Sequence, residues 1–243
     1  MTQTAPEVSV VMPVYNGQAH VADAVASVQR QTGVSFEILA RDDGSTDGTL
    51  AVLRRCASAD HRIKLSTGPN QGPAACRNRC LEIASGRFVA FLDHDDLWPD
   101  GRLLRQLERL RAQPGAMAVL GETVMFERLD EAGLPAPSPR LRRVFAGLLQ
   151  AGLFRRELLQ TVGQFDPALL AGDDVDLMLR MVETGCRIDA EAEVAVLYRL
   201  HPSQHTADLG FSGRQTVRAI GRSLRRRRAL GGDPAALRPI ERT

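Results

Sequence analysis

Two rhythms alternate along the first 95 positions: short continuous apolar runs, and longer stretches in which apolar side chains return every three or four residues. Val8 to Val14 is an apolar, β-branched run of strand length, and the Asn16-Gly17 pair after it is a turn signal. A helix is predicted at about residues 18–30, where Val21, Val25 and Val28 share one face. Glu37 to Arg41 reads as the second strand, and the polar Asp42-Asp43-Gly44-Ser45-Thr46-Asp47-Gly48 as a turn into another helix. Arg62 to Leu65 is a third strand. After the loop at 68–73 a helix is predicted from about Ala74 to Ala84, closed near Gly86. Phe88 to Leu92 then forms a buried-type strand whose end meets Asp93. Strands that are apolar throughout and alternate with helices predict an α/β fold, a mostly parallel, doubly wound sheet with helices on both faces.

The second half is less regular. Pro99 stands near the start of a helix in which Leu103, Leu107 and Leu110 repeat at helical spacing. Ala116 to Phe126 reads as one or two strands, and 130–139, with three prolines, as a loop. Between 141 and 203 the legible elements are a helix around Asp174 to Glu183 and a strand at Val194 to Arg199. Arginines crowd toward Arg225-Arg226-Arg227-Arg228 and predict a basic helix over about 214–228, before the Gly231-Gly232 break. The expected organisation is one domain over 1–205, in halves 8–115 and 116–205, and a basic helical tail over 206–243.

Composition adjusts this picture in three places. An apolar content of 44% over 243 residues suffices for a buried core, and a net charge of +2 gives no reason to expect nucleic acid as a partner. The N-terminus lacks a basic segment leading into an apolar one, and no apolar run nears the roughly 20 residues that span a bilayer, so a cytoplasmic chain is expected. Cys56, Cys76, Cys80 and Cys186 form no CxxC pair, and are read as reduced and packed rather than as a disulfide or zinc framework.

Ligands of open α/β sheets bind at the carboxyl ends of the strands. Three polar clusters are exported there: Pro13-Val14-Tyr15-Asn16, Asp42-Asp43-Gly44-Ser45 and Asp93-His94-Asp95-Asp96. In an extended segment Asp93 and Asp95 project to the same side. Their mutual repulsion is relieved if a divalent cation sits between them, and carboxylate oxygens suit Mg²⁺ or Mn²⁺. Lys64 is the only lysine, and neither a GxxxxGK[ST] loop nor a GxGxxG turn is present, which argues against a P-loop or ordinary dinucleotide enzyme.

Taken together and in order, these segments resemble the family 2 glycosyltransferases of GT-A fold, over about residues 8–201. The resemblance rests on Val8 to Asn16, Arg41 to Asp47, Arg77-Asn78, Phe91 to Asp96, Gly163-Gln164-Phe165-Asp166, Gly172 to Leu177 and Tyr198 to His201. It implies that 8–115 binds a nucleoside-diphosphate sugar, expected to be a UDP-sugar, and that 116–205 faces the acceptor. Asp43 would bond the donor base with Pro13 and Tyr15 beside it, and Arg77, Asp93 and His94 would lie at the donor. Asp93 and Asp95 would form the DxD element, with Asp95, Asp96 and His201 at the metal. Asp174 matches the catalytic base, and Asp173, where the family usually has Glu, a supporting carboxylate. Trp98 would lie on the acceptor side or simply pack. Asp43 and Asp47 have a second reading as helix caps, and Asp173, Asp174 and Asp176 as an acidic helix start.

Rival readings are a nucleotidyltransferase, a catalytically idle sugar-nucleotide-binding protein and a receiver domain. The first lacks its basic, glycine-rich loop after strand one, and the last is about half this length and needs a lysine late in the chain. A processive synthase is disfavoured because no QxxRW motif exists around Trp98. For the arginine tail three readings stay open: contact with the anionic inner face of a membrane, a solvated helix, or a homodimer contact.

Overall fold

The computed structural model describes residues 5–169, 171–202, 204, 209–229, 231 and 240–242. Among them a nine-stranded sheet runs in the order β3-β2-β1-β4-β7-β5-β8-β9, with β6 on β5. The strands are β1 (Val8–Val14), β2 (Phe36–Asp42), β3 (Ile63–Thr67), β4 (Phe88–Phe91), β5 (Ala116–Phe126), β6 (Arg142–Val144), β7 (Gly152–Arg155), β8 (Arg187–Arg199) and β9 (Glu241–Arg242). The helices are α1 (Val21–Gln29), α2 (Thr49–Ala59), α3 (Pro73–Ile83), α4 (Arg102–Ala112), α5 (Arg156–Val162), α6 (Asp173–Glu183) and α7 (Leu209–Ala229).

The first half is as the hydrophobic pattern predicts. Strands β1 to β4 are parallel, each joined to the next by a helix. All seven residues of β1 are buried because both faces of the sheet are covered. Val8, Val10, Met12 and Val14 pack with α1, α2 and α4, whereas Val11 packs on the other side with α3, α5 and α6. Pairing between β1 and β4 ends at Val11 and Phe91. Pro13, whose nitrogen points to that same side, therefore breaks no ladder bond.

The second half departs from a purely parallel sheet. Strand β7 is antiparallel to both β4 and β5 and joins the two parallel blocks. Ala116 to Phe126 forms a single strand, with register shifts against β8 between Leu120 and Thr123. The predicted strand at 194–199 is the end of a 13-residue strand. Helix α7 begins earlier than the arginine pattern indicated and packs on α6. Gly232, half of the predicted break, lies outside the described residues. No helix among the described residues is long and apolar enough to cross a membrane.

Beneath the sheet a buried carboxylate ties three elements together. Glu37 on β2 accepts hydrogen bonds from Ser9 Oγ (2.6 Å), the Ser85 N–H (2.9 Å) and Ser85 Oγ (2.8 Å), and pairs with Lys64. Burial pushes its carboxyl up, but Lys64, Ser9 and Ser85 outweigh this and hold it below its ordinary 4.5. Its ionised form thus stabilises the fold above pH 4.5, and that contribution disappears as pH falls through the lowered folded value. Glu37→Ala is expected to cost about 2–4 kcal/mol in urea unfolding at neutral pH, with the gap to wild type narrowing in acid.

Candidate active site

The loops after β1 and β2 are stitched into one rim. Asn16, in a left-handed conformation (φ 49°), accepts from the Thr46 N–H at 2.8 Å, and its own N–H donates to Ser45 Oγ at 2.9 Å. Gln18 Oε1 accepts from the Gly48 N–H at 2.7 Å, while Asp47 accepts from the Gln18 and Thr49 N–H groups. Asp47 thus makes a local turn just ahead of α2, whose N-cap position is Gly48 and carries no side-chain cap bond. Tyr15, 43% exposed, projects from this rim, whereas Pro13 is buried within β1. His94 lies across the same rim, its ring so close to Gly17 that a β-carbon there would collide with it.

Asp43 caps neither neighbouring helix; its side chain holds the loop that leads into α3. Its two oxygens accept the N–H groups of Gln71 (2.9 Å) and Gly72 (2.8 Å), which fixes the loop that opens α3. One turn into α3 stands Arg77, buried, with its two terminal nitrogens shared between two carboxylates. Nη2 donates to Asp93 Oδ1 at 2.8 Å and Nη1 to Asp173 Oδ2 at 2.6 Å. Burial disfavours the cation, but Asp93, Asp173 and Asp174 outweigh it and hold the guanidinium firmly charged. The second oxygen of Asp93 accepts from Gln150 Nε2. Burial also pushes Asp93 up, and Arg77 and Gln150 pull it below the ordinary carboxylate value. Arg77 therefore acts as a clamp between the end of β4 and the start of α6. Asn78, beside it, exchanges hydrogen bonds with the Phe165 backbone (2.8 and 2.9 Å), so the Arg77-Asn78 pair holds both later segments.

The acid loop divides its side chains between rim and core. Asp95 Oδ2 lies 2.9 Å from His201 Nε2, and both side chains remain partly exposed. Asp96 turns inward, which corrects its expected place at a metal: it is 1% exposed and Oδ1 accepts the Arg199 N–H at 2.9 Å. Burial, with Asp95 and Asp93 adding repulsion, raises its carboxyl well above the ordinary value. Trp98 follows its packing reading: it lies in the core, 1% exposed, with Arg102 stacked 4.1 Å over its ring. Arg199 Nε donates to the Asp95 carbonyl at 3.0 Å, and Leu97 and Leu197 form an isolated bridge, so the end of β8 carries His201 to Asp95.

Asp174 sits at the start of α6 with Oδ1 accepting its neighbour's N–H from Val175 at 2.8 Å. Burial first, then Asp173, push its carboxyl up to about 6, against the pull of Arg77. A carboxylate of that proton affinity suits general-base work near neutral pH. Gly172 precedes this helix at φ 74°, with the Gln215–Thr216 backbone 3.4 Å from where a β-carbon would stand. The left-handed backbone favours glycine there, while the neighbouring backbone lies at ordinary contact distance.

Among the described residues no group of three or more His, Cys, Asp or Glu is arranged to hold a metal ion. Asp95 and His201 are nevertheless a hard oxygen and an imidazole, close together and partly exposed. Mg²⁺ is commonly held by one or two carboxylates with substrate phosphates and water completing its shell, and the pair fits that incomplete set. His20 was not expected from the sequence. Its ring lies 5.1 Å from that of His201, and burial, with Arg199 and His201 next, keeps its pKa below the ordinary 6.5. Its position just past the β1 end was the available signal. Gln150 gave none, because a lone glutamine in a three-residue turn carries no pattern.

A family model for glycosyl transferase family 2 matches residues 9–143, more than half of the chain. The chain belongs to glycosyl transferase family 2. Among individual relatives of this family 2 chain, 104 residues are 40% identical to the UDP-Glc:alpha-D-GlcNAc-diphosphoundecaprenol beta-1,3-glucosyltransferase WfgD of Escherichia coli, covering 42% of this chain and 40% of that one. The succinoglycan biosynthesis protein ExoO of Rhizobium meliloti is 29% identical over 246 residues, covering 93% and 70%. The chain spans about half the length, or less, of the first curated relatives it matches. The mannosyltransferase PcManGT of Pyrobaculum calidifontis, solved with GDP-Man and Mn²⁺, superposes with a TM-score of 0.70 at 23% identity over 92% of this chain and 65% of that one. S. aureus TarS 1-349 with UDP-GlcNAc gives 0.66 at 21%, over 83% and 61%. Those likenesses identify the fold as GT-A.

The clamp makes a direct prediction for this glycosyltransferase family member. Arg77→Met leaves Asp93 and Asp173 facing each other without a cation, and is expected to cost about 3–5 kcal/mol in chemical unfolding. A loss below about 1 kcal/mol would show that the clamp contributes little.

Proposed function

We propose that this chain transfers a single sugar from a nucleoside-diphosphate sugar to an acceptor hydroxyl, with inversion at the anomeric carbon. The observation that carries the reading is the Arg77 bridge, which brings the β4 acid loop and the Asp174 end of α6 to one place. The donor diphosphate would lie at the acid loop and the acceptor hydroxyl at Asp174. Asp174 would take the proton of that hydroxyl while its oxygen attacks the anomeric carbon from the face opposite the diphosphate. The bond from that carbon to the diphosphate oxygen breaks, and its electron pair departs with the diphosphate.

Asp95 and His201 would hold a divalent ion, Mn²⁺ or Mg²⁺, whose charge stabilises the departing diphosphate. The Mn²⁺ seen with GDP-Man in the Pyrobaculum enzyme supports this choice. His20 lines the same end and His94 the neighbouring rim. Asp43 acts first by shaping the 68–72 loop, and the base of the donor would lie against that loop and Tyr15. Asp173 serves by orienting Arg77. A UDP-sugar is the proposed donor, supported by the name of the Escherichia coli relative and by UDP-GlcNAc in TarS.

The test is a panel of nucleotide sugars with Mn²⁺ and with chelator, scored for released diphosphate and for the anomeric configuration of the product. Asp174→Asn is expected to keep donor affinity while slowing transfer about 10²–10⁴-fold. Because the base must be ionised, wild-type turnover should rise with pH through about 6 and then level off. A profile flat from pH 5 to 8 would remove Asp174 from that role. Asp95→Ala should weaken Mn²⁺-dependent donor binding in calorimetry about tenfold or more, while leaving metal-free binding unchanged. Equal Mn²⁺ titrations for variant and wild type would reject Asp95 as a ligand.

A further inference from the structure

We propose that the outward face of α7 docks this protein on an anionic lipid bilayer. Helix α7 contains seven arginines and no acidic residue, in a chain whose net charge is only +2, so the remainder is net acidic. The arginines are not equivalent. Arg222 pairs with Asp166, Arg226 bonds Asp176 (2.8 Å) and Glu183 (2.9 Å), and Ser223 donates to Glu183. With buried Ala219, these residues make the face that seats α7 on the body.

The opposite face has two sectors. At 3.6 residues per turn, Arg214, Arg218, Arg225 and Arg228 project within about 80° of one another, and Val217, Ile220 and Leu224 fill an adjoining sector of about 60°. The four arginines are solvent-exposed and have no ion pair among the described residues. Val217 is 69% and Ile220 43% exposed. Basic and apolar sectors side by side fit the plane where lipid phosphates meet acyl chains. A second copy of the chain would oppose four arginines with four more, and a nucleic acid would leave the apolar sector in water. The acidic remainder of the molecule orients the basic helix toward a negative surface.

The placement has a consequence for the site. The Gln215–Thr216 backbone touches Gly172, immediately before Asp173 and Asp174. A bilayer against α7 therefore lies about one helix diameter, roughly 10 Å, from the carboxylate assigned to the acceptor. On the proposed transferase reading, this selects an acceptor anchored in lipid. The docking itself does not rest on that reading, since it is measured without turnover.

The experiment is sedimentation of the full chain with phosphatidylglycerol-containing and with pure phosphatidylcholine vesicles, at low and high salt. Binding is expected to the anionic vesicles only, and to fall with salt. Arg214→Gln with Arg218→Gln should lower the partition constant about 30-fold, at roughly one Arg–surface interaction each. Val217→Ser with Ile220→Ser should lower it about tenfold with the arginines intact. Arg54→Gln with Arg55→Gln, on the exposed side of α2, is the charge-matched control and should stay within about twofold. Equal loss in that control, equal binding to neutral vesicles, or preferential binding of a duplex oligonucleotide would each overturn the proposal. Transfer to a soluble acceptor by the α7 variants at the wild-type rate would separate a failure of docking from a failure of the enzymatic reading.

Discussion

One cation holds two distant acids in register, and the carboxyl end of the sheet is organised around it. Arg77 reaches Asp93, 16 residues on, and Asp173, 96 residues on. Without that cation, Asp93, Asp173 and Asp174 would stand together as uncompensated anions in a buried place, which the fold would relieve by moving them apart or protonating them. With it, Asp93 stays ionised, and the site keeps a difference in proton affinity between neighbouring acids. Asp93 lies below the ordinary carboxylate value and Asp174 above it, at about 6. Pairs pushed apart in this way are how proteins assign separate tasks to chemically identical groups.

The acids of the 93–96 segment show the same division by environment. Asp93 is neutralised by Arg77, Asp95 meets a histidine at the surface, and Asp96 is turned into the protein against the β8 backbone. A run of acidic residues is thus divided among a cation, a histidine and the backbone. The same economy applies to α7, where part of the arginine run secures the helix and the rest faces outward.

Legibility in the sequence followed physical cause. Strand β1 was readable to the residue because helices cover both of its faces, leaving an uninterrupted apolar run. Asp174 and the link between Asp95 and His201 were readable only through the family resemblance, since the last two stand 106 residues apart and neither has a local pattern. Strand β7, which reverses the direction of the sheet, was not readable. Its four residues, Gly152 to Arg155, are too few for a period and end in an arginine. Arg77 was found, but as a donor contact, because a helix position does not disclose two partners brought by folding. Asp96 turns inward for a related reason: proximity in the chain to a reactive segment does not decide which side of the backbone a side chain takes.

The pairing of Leu97 with Leu197 has a mechanical implication. It fastens the acidic segment to the last turn of a strand that begins at the far end of the sheet, and Arg199 adds a second rivet to the Asp95 carbonyl. Asp95 and His201 are therefore mounted on a common frame, so that a load on either is carried by both. A ligand that pulls on the histidine must drag the carboxylate with it, and selectivity at that point becomes a question of whether an incoming group matches their fixed separation.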